Sequence, residues 1–151
     1  MLIRPVMEYA SIVWDAHLKK DIDKLERIQR LSARFIVGDY RHASSVTAIL
    51  QYLGLEPLYL RRKISRLKFL YSLKKRVLGL NPDVYIHPIA YRSVRLNHDQ
   101  CIQPYVPRVD VFKYSFFVRT IDEWNSLPSS CVNATTTELF EQTLRRYLCE
   151  V

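Results

Sequence analysis

Residues 58–78 read LYLRRKISRLKFLYSLKKRVL, with no glycine or proline among them. At 100° per residue Leu60, Ile64, Leu67, Tyr71 and Leu78 fall on one stripe, and Phe69, Leu70, Leu73 and Val77 fall on a second. The spacing predicts a long helix packed on more than one side. A narrow polar strip is left over, carrying Arg61, Ser65, Lys68, Ser72, Lys75 and Arg76. Gly54 and Pro57 mark a break before the helix, and Gly79, Asn81 and Pro82 end it.

Upstream, Ile3, Val6, Tyr9, Ala10, Val13 and Trp14 recur at helical spacing, and Pro5 suits a first turn, so a short helix is expected over about 5–14. Leu18, Ile22, Leu25, Ser32 and Ile36 share a stripe flanked by Ile28 and Phe35, with Arg27, Arg30 and Arg34 opposite. This is an amphipathic helix. Gln29 lies inside its stripe, as a buried amide that needs partners or as part of a contact with another subunit. Ser44 or Ser45 can cap a helix running to Leu53.

Downstream the pattern changes. Residues 83–115 are rich in proline, tyrosine and β-branched residues without helical period, and extended segments are expected at Ser93–Leu96, Ile102–Val106 and Val109–Tyr114. Helical spacing returns at Phe117, Ile121 (or Thr120) and Trp124, and stops at Pro128. A last helix follows Thr135 and Glu138, which fit a capping box. The expected fold is mainly α, a bundle of about four to six helices with an irregular middle segment (about 83–115) able to form a small β hairpin. Its organisation is one domain over 1–151: a basic helical lobe at 1–80, an extended segment at 81–115 and a C-terminal helical pair at 116–151.

Of the 151 residues 48% are apolar, 25% are charged and only 3 are glycine, a globular profile that excludes a disordered linker. No apolar run approaches the roughly 20 residues of a membrane span. Glu8 and Asp15 interrupt the first segment where a signal peptide is apolar. An intracellular protein with no membrane partner is expected. The net charge of +8 is uneven: residues 1–96 hold 18 Lys and Arg against 8 Asp and Glu, and residues 97–151 hold 5 against 7. The densest run, Arg61 to Arg76, contains eight bases and no acid. An anionic partner suits such a run, although basic residues also simply solvate helices.

Chemistry is sparse. There is no Asp-Asp pair of the polymerase kind, no glycine-rich phosphate loop and no Gly-flanked serine nucleophile. Cys101, Cys131 and Cys149 match no zinc spacing, and His98 with Cys101 supplies two ligands where a structural site wants four. No catalytic residue, metal or cofactor is expected, nor a small-molecule substrate. Trp14, Trp124, Phe116, Phe117 and Tyr147 sit at helical positions that favour packing over base stacking.

Four ordered strings carry a resemblance: Glu8, Tyr9, Ala10, Ser11, Val13 and Trp14; Leu25, Glu26 and Gln29; Leu53, Gly54, Leu55, Arg61 and Arg62; and Arg119, Thr120, Ile121, Trp124, Asn125, Leu127 and Pro128. Over nearly its whole length the chain resembles the C-terminal tail of reverse transcriptases from non-long-terminal-repeat retrotransposons of the jockey-like and chicken-repeat-like kind. The resemblance implies a non-catalytic fragment of an enzyme of target-primed reverse transcription, because the family's catalytic carboxylates lie upstream. It also implies RNA or DNA and the parent polymerase domain as partners, and a cytoplasmic and nuclear ribonucleoprotein. The Cys/His knuckle of some relatives is missing. Non-specific backbone binding would then rest on Arg61, Arg62, Arg66, Lys68, Lys75 and Arg76, with Arg30 and Arg34 as secondary candidates. The alternatives are a scaffold packing against the polymerase domain, or a decayed fragment with no activity of its own.

Overall fold

The computed structural model describes residues 3–41, 44–89 and 97–150, and is mainly helical. In chain order the helices are α1 (Ile3–Glu8), α2 (Ser11–Trp14), α3 (Lys19–Val37), α4 (Val46–Tyr52), α5 (Leu58–Lys74), α6 (Asp110–Lys113), α7 (Phe116–Asn125), α8 (Ser129–Val132) and α9 (Thr137–Glu150), with a 3₁₀ turn at Pro82–Val84. The chain divides into two compact units, 1–63 and 64–151, so the boundary falls inside α5 and not near residue 80.

In the first unit α3 packs against α1 and α4. Where one N-terminal helix was expected there are two, because Ala10 takes a left-handed φ of 48°. The break frees the Tyr9 carbonyl, which accepts the Trp14 Nε1–H at 2.6 Å. The face α3 turns inward is Gln29, Ser32 and Ala33, and Ile28, Phe35 and Ile36 remain exposed. Small and polar side chains here admit close approach of neighbouring backbone. Gln29 is the buried amide that the first of the two readings required: its Nε2 donates to the Glu56 carbonyl at 3.0 Å, and its Oε1 accepts from Arg61. Ser45 caps α4 by accepting from the Ala48 N–H, and Glu26 does the same for α5 by accepting from Tyr59 N–H at 2.9 Å.

The second unit has an apolar centre of Ile64, Leu67, Leu70, Tyr71, Leu73, Ile121, Trp124, Phe140 and Leu144, all at most 2% exposed. Tyr71 stacks on Phe140 at 4.5 Å between centroids and donates its hydroxyl to the Ala134 carbonyl. α5 stops at Lys74, short of residue 78. Arg76 is left-handed (φ 59°), Arg76 N–H reaches the Leu73 carbonyl and Val77 N–H the Ser72 carbonyl, a Schellman ending in which arginine takes the usual glycine place. α9 is capped by Thr136, not Thr135, through the Leu139 N–H at 3.2 Å.

No strand forms among the described residues of 83–115, and the expected hairpin is absent there. Pro88 and Ile102 make one isolated antiparallel bridge, and Val109–Tyr114 winds into α6. Ser93–Leu96 lies outside the described residues. Proline at 88 has no N–H for a ladder, and the Asn125 carboxamide takes the pairing groups of Ile102, accepting from its N–H (2.9 Å) and donating to its carbonyl (2.7 Å).

Candidate nucleic-acid interface

The basic helix does not present an open row of cations. In the first unit Arg61 is 7% exposed and is paired with Glu8 and Gln29. Arg62 is 3% exposed; it donates to the Met7 carbonyl at 2.6 Å and to Asp15 at 3.4 Å, and its guanidinium stacks 4.2 Å over the Trp14 ring. Burial pushes the Arg62 guanidinium below its ordinary pKa, against the opposing pull of Glu26 and Glu8.

In the second unit Arg66 is 2% exposed and one of its terminal nitrogens contacts both Glu123 oxygens at 2.9 Å. Burial lowers its pKa too, while Glu123 acts to restore it. Lys68 meets Glu141 at 2.6 Å, and that hydrogen bond, with a second from Arg145, holds the Glu141 carboxyl below the usual range. Lys74 donates to the Gln100 carbonyl at 2.6 Å, and burial pushes its ammonium down to about 8. Of the expected row only Lys75 and Arg76 are exposed, with Arg76 reaching Asp83 at 2.9 Å.

The two secondary candidates on α3 part company. Arg30 is exposed. Arg34 is engaged with the chain that follows the helix, donating to the carbonyls of Asp39, Arg41 and Ser44. Asp39 in that loop is held well below the usual carboxylate range by hydrogen bonds from Arg41 and Ser44. Lys19, Lys20, Lys24 and Arg27 join Arg30 on the exposed side of α3, where Lys24 pairs with Asp21 at 3.2 Å. Beside them Ile28, Leu31 and Phe35 are 44%, 57% and 72% exposed. The heptad-like spacing of Ile28, Leu31 and Phe35 was the signal that could have found this face.

Among the described residues no group of three or more His, Cys, Asp and Glu could hold a metal ion, and no helix is long and apolar enough to cross a membrane. No family model, no curated protein and no solved structure matches the chain.

Proposed function

We propose that the chain is a non-catalytic C-terminal module of a non-long-terminal-repeat retrotransposon reverse transcriptase, and that its work is docking onto the polymerase domain of the parent protein. The observation that supports this reading is the reversal of roles between two helices. The arginines of α5 are spent on carboxylates and carbonyls of their own unit, whereas α3 leaves an apolar seam open to solvent. Single exposed apolar residues are ordinary, but Ile28, Leu31 and Phe35 follow one another at i, i+3 and i+7, the spacing one helix offers to another. No catalytic step is assigned to any residue. The test is co-elution with an adjoining polymerase segment from a jockey-like element. Leu31→Ser combined with Phe35→Ser is expected to abolish co-elution with the helical circular dichroism unchanged, and unaltered co-elution would overturn the reading.

A second reading, contact with an RNA or DNA backbone, is favoured by the exposed Lys20, Arg27 and Arg30 of α3. Three phosphate contacts predict a log–log salt slope of about −3. Replacing these three residues with glutamate is expected to flatten it.

A further inference from the structure

The last residue of α5, Lys74, is half-buried within the second unit and has no carboxylate of the described residues paired with it. Its Nζ donates to the Gln100 carbonyl at 2.6 Å and lies 5.3 Å from the centroid of the Trp124 ring. The same carbonyl accepts from Trp124 Nε1 at 3.1 Å, and the Gln100 carboxamide donates to Asn133 at 2.6 Å, so the acceptor that places Nζ is itself fixed. Lys74 lines an open cavity of about 320 Å³ whose walls include Pro82, Ile86, Pro88 and Ile102. Of the other charged groups at this cavity, Arg76 and Asp83 pair with each other at 2.9 Å, and Asp99 is exposed. Burial is what brings the Lys74 ammonium down to about 8; Lys75 adds to the effect, whereas Cys101 and Asp99 oppose it. A neutral amine is a nucleophile without any partner base, and a desolvated lysine against apolar walls is the kind that forms Schiff bases.

We propose that Lys74 is a reversible imine-forming site for small aliphatic aldehydes, whose alkyl chain rests on the apolar walls of this cavity. The ammonium first loses a proton to solvent. The nitrogen lone pair then bonds to the carbonyl carbon, the carbon–oxygen π pair moves onto oxygen, and one N–H proton passes to that oxygen, giving a carbinolamine. The hydroxyl leaves with the remaining N–H proton as water while the nitrogen pair closes the C=N bond. Solvent in the open cavity carries both protons. The net change is amine plus aldehyde to imine plus water, with no oxidant or reductant.

Lys75, next in the chain and exposed, is the internal reference. The full-length native chain is treated with butanal and sodium cyanoborohydride, which traps the imine as a secondary amine, and the rate at each lysine is read by peptide mass spectrometry. Near neutral pH Lys74 is expected to be labelled about tenfold or more faster than Lys75, because far more of it is neutral there. Its rate should level off above about 8 while that of Lys75 still climbs. Two comparisons isolate the part played by the cavity. The preference for Lys74 should be smaller with formaldehyde, which has no alkyl chain to lay on Ile86 and Ile102, and should vanish in urea. Labelling of Lys74 no faster than Lys75 in the native chain overturns the proposal, as does a preference that is equal for the two aldehydes or that survives unfolding.

Discussion

The two units solve the same problem, burying a basic helix, by different means. In the first, Arg61 and Arg62 occupy the interior beside Gln29, Ser11 and Ser32, with Met7, Ala33, Ile49 and Leu58 the buried apolar residues near them in sequence or space. In the second, Arg66 is the one buried Lys or Arg among the described residues, in a mostly aromatic and aliphatic interior that also holds Ser72, His98 and Thr120. An interior built on ion pairs specifies partners but adds little net stability, because desolvation offsets most of the Coulomb attraction. An apolar interior stabilises in proportion to the area it removes from water. The first unit also leaves Val6, Tyr9, Val13, Leu31 and Phe35 more than half exposed.

The sharpest way to break this contrast is to cut each interior and ask which unit responds. Trp124→Ala in the second unit is expected to cost about 4 kcal/mol, the usual range for truncating a fully buried large aromatic, measured by denaturant unfolding. Arg62→Ala in the first should cost about 3 kcal/mol, because Asp15, with a side chain 8% exposed, loses its guanidinium. Hydrogen exchange should show that loss in residues 5–41 and 44–63 with protection in the second unit retained. Equal loss of protection everywhere would erase the distinction between the units. A smaller effect of opposite sign is expected from Arg76→Gly, which relieves a left-handed arginine and should stabilise by about 1 kcal/mol in the same unfolding assay.

The contrast can also be sharpened through pH. Lys74 has a folded pKa of about 8 against an ordinary 10.5, so between those values the unfolded chain holds more protons than the folded one. Stability should therefore rise as pH increases from about 8 towards 10.5, and Lys74→Met should remove that part of the slope. At the acid end the sign is set by Glu141, whose lowered pKa contributes stability above its ordinary value that is lost as pH falls through the folded one.

Local signals in the chain were legible: the start of α5 after Pro57, the Ser45 cap, and Gln29 as an amide needing partners. Which face of α5 meets solvent was not. The carboxylates and carbonyls that turn its cations inward come from far along the chain, 47 residues away for Arg62 and Asp15, 57 for Arg66 and Glu123, and 73 for Lys68 and Glu141. A helical wheel registers its own residues and nothing of those partners. On α3 the stripe's Ser32 and Gln29 are buried as read, whereas Ile36 and the flanking Ile28 and Phe35 are exposed, because the smaller side chains are the ones that pack. Left-handed Ala10 and Arg76 have no cue of their own, as neither is a residue type that favours that backbone.

The reciprocal pair of hydrogen bonds between Asn125 and Ile102 has an effect beyond anchoring. A lone bridge in a proline-rich stretch would ordinarily leave a free rim of peptide groups, the kind of template on which a foreign strand can nucleate and grow. One carboxamide occupies both groups of Ile102, and across the bridge Pro88 has no hydrogen to give. With the Gln103 N–H paired to the His87 carbonyl, the described peptide groups at the bridge are occupied, and Asn125→Ala should free both groups of Ile102 and raise aggregation, measured by light scattering.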